Sequence, residues 1–191
     1  MQPQMGTTTR HRVGGWLPDQ DALEAWLEGF TTKVAASEPA FLSALNYHRW
    51  HAPVAGTIRK AWIVGGTYYS ADAEGEDPRG PDDSQGCISQ VATRAIVQIE
   101  AADPSIGLMT AIFVGMSEIS SCVILPHVVP GYKVEKGEEL GHFQYGGSPH
   151  CLVFGPGAIE SFEVSAMPQP HNPHPPVVLL GSTIAKASRR P

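Results

Sequence analysis

Glycine and proline punctuate this chain, supplying 20 and 17 of its 191 residues. Glycine opens turn conformations to the backbone, and proline fixes φ and removes an amide donor. Together they imply many turns, short strands and few long helices. One segment departs from that texture. Over residues 18–34, Leu23, Trp26, Leu27 and Phe30 recur at three- and four-residue spacing behind Pro18 and Asp19, which predicts one amphipathic helix. From about Ala40 the pattern changes to short apolar strands between turns. Candidates lie at 41–47, 56–64, 67–70, 91–99, 108–115, 120–125, 140–145 and 151–154.

The expected fold is α+β and mainly β, with packed sheets or a barrel-sandwich-like core behind a short N-terminal helix. Three parts follow: residues 1–39 carry the helix, 40–166 form the core, and 167–191 form a tail. The tail holds Pro168, Pro170, Pro173, Pro175 and Pro176, with one strand candidate at 177–180. Residues 71–86 are acidic and turn-rich and read as a solvated loop rather than a lid. Leu42, Ile58, Ile63, Ile96, Val97, Ile99, Ile112, Val114, Leu140, Phe143, Leu152 and Phe154 are the expected core.

Charge and composition narrow the function. A net charge of −6 argues against nucleic acid and gives no pull toward anionic lipid. No apolar run approaches the ~18 residues of a membrane span, and the start is not signal-like, so a soluble, cytoplasmic protein is expected. Cys87, Cys122 and Cys151 are widely spaced, odd in number and without Cys-x-x-Cys, as expected of reduced intracellular thiols.

Four constellations could carry chemistry. His48 and His51 stand three apart before Pro53 and Gly56. They read as turn histidines, as zinc ligands with His171 and His174, or as proton carriers near neutral pH. Without a glutamate base or Cys-x-x-Cys the zinc reading is weak, and no metal site is expected. Lys136-Gly137-Glu138 followed by Leu140-Gly141 makes a β-turn-β stitch. Such stitches occur in biotinyl and lipoyl carriers, but the lysine turn those modules display is missing. Glu118, after Val114-Gly115, could orient a catalytic group but reads better as a solvated residue. Finally, Gly146-Gly147-Ser148 places a hydroxyl after an unhindered carbonyl. That suits a turn, and it also suits attack by serine on its own preceding peptide bond.

In order and spacing these pieces resemble the phosphatidylserine decarboxylase family of pyruvoyl enzymes. Tyr47-His48-Arg49-Trp50-His51-Ala52-Pro53 resembles its histidine motif, Val114-Gly115-Met116 its central strand, and the run from Lys136 through Gly141 and Phe143 to Gly146-Gly147-Ser148 its self-processing site. The stretches 12–18, 41–45, 66–70 and 83–86 resemble the soluble fungal branch that includes L-tryptophan decarboxylases.

The resemblance implies self-cleavage between Gly147 and Ser148, with His51 as base. Ser148 would then become a pyruvoyl group, the only cofactor. That group would take CO2 from phosphatidylserine or an aromatic L-amino acid through a Schiff base, with His48 returning the proton. The two processed pieces would stay associated, and a homodimer is the commonest assembly for such chains. Two departures stand out. Lys33–Pro39 joins the N-terminal Trp-Leu-Pro motif almost directly to the histidine motif, so the family's acidic residue that orients the histidine is missing. Pro149 follows the serine and removes an N–H. The alternative is a truncated, non-processing remnant acting as a non-catalytic or partner-binding protein.

Overall fold

The computed structural model describes residues 47–67, 91–115, 121–144, 150–164 and 179–188. Within them the chain is mainly β. Ten strands run in order: β1 (Arg49–His51), β2 (Gly56–Val64), β3 (Arg94–Ala101), β4 (Leu108–Val114), β5 (Ser121–Ile124), β6 (Lys133–Val134), β7 (Glu139–Gln144), β8 (His150–Phe154), β9 (Ile159–Phe162) and β10 (Ala185–Ala187). They form a five-stranded sheet in the order β6-β2-β3-β4-β8, a three-stranded sheet β1-β7-β5 and a β9-β10 pair. Every strand pairing is antiparallel.

Alternation explains how the two larger sheets meet. Across β3 and β4, Ala95 faces Phe113, Val97 faces Ala111 and Ile99 faces Met109. Ile58 and Ala61 of β2 continue two of these rows. All of these side chains share one apolar cluster with Trp50 of β1 and Leu140 and Phe143 of β7. One face of the large sheet is thus covered by the small one, a sandwich whose core excludes water from both. β3 is also buried on its other face, where Ile96 is enclosed beside the fully buried Thr110 of β4. It is the central strand of the five-stranded sheet.

Gly141 sets how closely the layers approach. A side chain there would run into the Val123 carbonyl oxygen and come within 2.6 Å of the Trp50 ring. Only glycine lets β7 lie between β5 and that indole.

Most expected strands are found within a residue or two of their place. The helix over 18–34, the strand over 41–47 apart from Tyr47, the loop over 71–86, the 67–70 strand beyond Thr67, and Leu42 and Cys87 all lie outside the described residues. Two expectations need correction. Ile63 is 41% exposed. A register shift between Ile58 and Lys60 aligns it with Ala95 at the end of β2, outside the apolar cluster. In the tail, Leu179 and Leu180 are exposed and enter a turn at Gly181, whose φ is +83°. The strand there is β10, which pairs back onto β9. Ile112, Leu152 and Phe154 are partly rather than fully buried.

Candidate active site

β1 is three residues long and is held by its neighbour rather than by propensity. Arg49 pairs with His142, Trp50 with Gly141 and His51 with Glu139. Arg49 Nη1 donates to both carboxylate oxygens of Glu139 at 2.6 Å, clipping the two strands from the solvent side. On the inner side the Trp50 indole stacks on Phe113, with ring centres 4.4 Å apart and planes 3° apart, and meets the edge of Phe143 at 4.9 Å. The strand that carries the histidine motif is therefore anchored by one indole between two sheets.

In its neutral form His51 has one tautomer that both of its contacts favour. Its Nδ1 lies 2.7 Å from the Gly137 carbonyl oxygen. A carbonyl only accepts, so Nδ1 carries the proton and donates it. Nε2 is then left with its lone pair, and the Tyr47 hydroxyl donates to it at 2.6 Å. The two rings also stack, 5.6 Å apart and 12° from parallel. A neutral imidazole with Nδ1 fixed and a lone pair on Nε2 is the state required of a general base. The missing acidic motif suggested an unsecured ring; instead a backbone carbonyl does the orienting.

The Gly137 carbonyl is presented by a tight turn. Glu138 N–H donates to Glu135 C=O at 3.1 Å, and Gly137 has a φ of +85°, a conformation that favours glycine. Gly137 N–H donates to Ala52 C=O and Ala52 N–H to Glu138 C=O, both at 2.8 Å. The turn is thus stitched to the residue after His51. The Glu138 carboxylate bonds within the same turn, taking Glu135 N–H at 2.8 Å and the Tyr132 hydroxyl at 2.6 Å. His127 Nε2 stands 3.5 Å away, and its ring lies 5.0 Å from that of Tyr132. The Glu135 amide first, then the Tyr132 hydroxyl, holds the Glu138 carboxyl below the ordinary carboxylate range.

His48 is placed differently. Its carbonyl accepts from Phe143 N–H at 3.0 Å, which extends the β1–β7 pairing, and its Nε2 is buried without a hydrogen bond among the described residues. The two motif histidines do not bond to each other; His51 is built into a network with Tyr47 and Gly137, and His48 is not.

Gly147 and Ser148 lie outside the described residues, as do Glu118, His171 and His174. The residues that flank the glycine-serine site are described. β7 ends at Gln144 and β8 begins at His150, in different sheets. β7 abuts the histidine strand, with Phe143 bonded to His48 and its ring against Trp50, whereas β8 is one ring removed, with His150 6.4 Å from the Phe113 ring on which Trp50 stacks.

The remaining reactive side chains are quiet. Burial pushes the Cys122 thiol up to about 11, and its Sγ lies 3.7 Å from the Thr93 and Phe113 carbonyls. Burial also raises Cys151. Among the described residues, no group of three histidine, cysteine or acidic side chains is placed to hold a metal ion, and no helix is long and apolar enough to cross a membrane.

A family model described as phosphatidylserine decarboxylase matches residues 35–186. The chain belongs to the phosphatidylserine decarboxylase family. It is 46% identical over 134 residues to "Decarboxylase iboD" of Amanita muscaria, a match that covers 64% of this chain and 38% of that protein. It is 42% identical over 121 residues to an L-tryptophan decarboxylase of Psilocybe cubensis, covering 59% and 27%. It is 25% identical over 159 residues to phosphatidylserine decarboxylase proenzyme 2 of Komagataella phaffii, covering 78% and 14%. The matches thus span well under half the length of these relatives. Tyr47, Gly137, Tyr132 and Glu138 are site groups to which the sequence alone gives no site role. The Lys-Gly-Glu turn was visible as a stitch, but nothing in its letters said that its carbonyl would face a histidine.

Proposed function

We propose that this chain is a self-processing, pyruvoyl-dependent decarboxylase. In this reading residues 40–166 form its core, and its substrate is an aromatic L-amino acid or phosphatidylserine. The observation that carries the reading is the His51 ring, fixed by Gly137 with an Nε2 lone pair, on a strand paired with β7, which leads into Gly146-Gly147-Ser148.

The self-cleavage uses groups of the chain alone. His51 Nε2 takes the proton of the Ser148 hydroxyl as its oxygen attacks the Gly147 carbonyl. The peptide C–N bond breaks, the nitrogen takes a proton, and an ester links the two residues. Loss of the Ser148 α-proton breaks the Cβ–O bond and frees the Gly147 carboxylate. Water then replaces the nitrogen, which leaves as ammonia, and a pyruvoyl group caps the second piece. A positioned base contributes about 100- to 10,000-fold to such proton transfers.

The pyruvoyl carbonyl supplies an electron sink for the bond that releases CO2. His48, half-buried just ahead of β1 with its Nε2 enclosed, would return a proton to the substrate carbon. After cleavage the 148–191 piece would stay in place through β8, which is paired along five residues with β4 of the first piece. The fungal tryptophan decarboxylases among the relatives favour an aromatic amino acid over a lipid.

Mass spectrometry of freshly purified protein tests this reading. Fragments ending at Gly147 and beginning with a pyruvoyl-blocked residue 148 are expected. His51→Ala should leave the chain whole, and His48→Ala should permit cutting but slow decarboxylation. A wild-type chain that stays uncut would favour the non-processing remnant.

A further inference from the structure

We propose that Glu138 is a positioning residue that sets the tautomer of His51 through the Glu135–Glu138 turn, an inference that rests on His51 being the base of the self-cleavage. Nothing covalent joins the two side chains. Their link is the turn itself. Gly137 offers one carbonyl, and His51 Nδ1 uses it at 2.7 Å. The direction of that carbonyl depends on the peptide plane between Gly137 and Glu138, and Gly137 has the least intrinsic preference of any residue. Something must hold that plane. Glu138 does so from the next position: one carboxylate oxygen takes Glu135 N–H and the other takes the Tyr132 hydroxyl. Its own N–H closes the turn on Glu135, and its carbonyl receives Ala52 N–H. Glu138 is thereby tied on two sides, by its carbonyl to the residue after His51 and by its carboxylate to Tyr132 and Glu135.

Without the carboxylate, the turn keeps its backbone bonds but loses the bonds that tie it to Tyr132 and to the Glu135 amide. The Gly137–Glu138 peptide is then held by its N–H bond to Glu135 C=O alone, so the carbonyl swings from Nδ1 more easily and the imidazole shifts toward its Nε2–H tautomer. That tautomer has no lone pair on the nitrogen that faces Tyr47, so it cannot act as base there. Which ring nitrogen is protonated is decided by the partner of the other one, and here the partner is only as steady as Glu138.

The test uses the full chain and two readouts. In the Ser148→Ala background, which cannot be cut, imidazole 15N shifts report the His51 tautomer, with His51→Gln identifying its signals. In the Ser148 chain, the cut fraction is followed over time. Glu138→Ala should move His51 from a single Nδ1–H form to a mixture and slow cutting about 10- to 100-fold, part of what a positioned base supplies. Glu138→Gln should restore most of both, because its carbonyl can take Glu135 N–H while its amide donates to the Tyr132 oxygen. Tyr132→Phe removes one bond only and should act in the same direction more weakly, which keeps the test open if Glu138→Ala does not fold. An unchanged His51 tautomer in Glu138→Ala overturns the proposal, even if cutting slows, since a loss of stability alone would do that. If His51→Ala still cuts, the base assignment fails, and the tautomer readout still decides whether Glu138 holds the ring.

Discussion

The Tyr47 hydroxyl and His51 Nε2 are 2.6 Å apart, with their rings stacked. The nitrogen that would accept the Ser148 proton therefore already has a hydrogen-bond donor. For attack to begin, Ser148 must displace that hydroxyl. Tyr47 is 52% exposed, so it has room to move.

Tyr47→Phe keeps the stacked ring and removes the competing donor. A single neutral hydrogen bond is worth about 0.5–1.5 kcal/mol net, so initial cutting should speed up by about 2- to 10-fold. Rapid purification followed by a time course on denaturing gels measures this. Slower cutting in the variant would mean that the phenol relays the proton rather than competing for the nitrogen.

Trp50 ties the histidine strand to the core through Phe113 and Phe143. Trp50→Ala should lower stability by about 3–5 kcal/mol, the usual cost of emptying a large aromatic site. Trp50→Phe should cost less than about 2 kcal/mol. It keeps a ring in the stack and removes an indole N–H that is buried without a partner among the described residues. Urea unfolding of the two variants in the Ser148→Ala background separates these effects from processing. A loss below about 1 kcal/mol in Trp50→Ala would show that the indole stack is not what anchors β1.

Much of this was legible because it is local. The apolar runs of β2, β4 and β8 each lie between turn residues, and period-two patterning is enough to place them. β1 was not legible as a strand. Its three residues sit before Pro53 and Gly56 and read as a turn, and only pairing with β7, some ninety residues on, makes them extended. Ile63 misled because it pairs with Ala95 of the core row yet stands near the end of β2, outside the apolar cluster, and the letters do not mark where that cover stops. The family resemblance points to an acidic side chain as the orienting group for His51. Here that group is a main-chain carbonyl 86 positions away, and every residue carries one.

Cys122 should be unreactive in the folded protein. Its thiol is pushed up to about 11 from an ordinary value of 9.0, chiefly by burial. At pH 7.5 only roughly one molecule in several thousand would carry the thiolate, the form that reacts. In a Cys87→Ser chain, iodoacetamide at that pH should leave Cys122 and Cys151 unlabelled under conditions that alkylate a free peptide thiol, and should label both in urea. The sign for stability follows. The folded state holds the Cys122 proton more tightly, so this contribution is intact below pH 9 and declines as the pH rises toward 11. Fast labelling of Cys122 without urea would show that the site opens locally.

Glu138 should dominate one acid-sensitive part of the fold. The Glu135 amide and the Tyr132 hydroxyl hold its carboxyl below the ordinary value of 4.5, and His127 faces it from the adjoining loop. In the unfolded chain the carboxyl returns to that ordinary value. At neutral pH both states are ionised, and the hydrogen bonds to the carboxylate favour the folded one. As the pH falls below about 4.5 the unfolded state takes up the proton first, so the contribution fades and is gone once the folded carboxyl is also protonated. Wild-type stability in the Ser148→Ala background should therefore drop between about pH 5 and pH 3 more steeply than that of Glu138→Gln, which has no proton to take up. Urea midpoints across that range measure the difference. Parallel curves would mean that the carboxylate adds nothing to the turn beyond what a neutral amide provides.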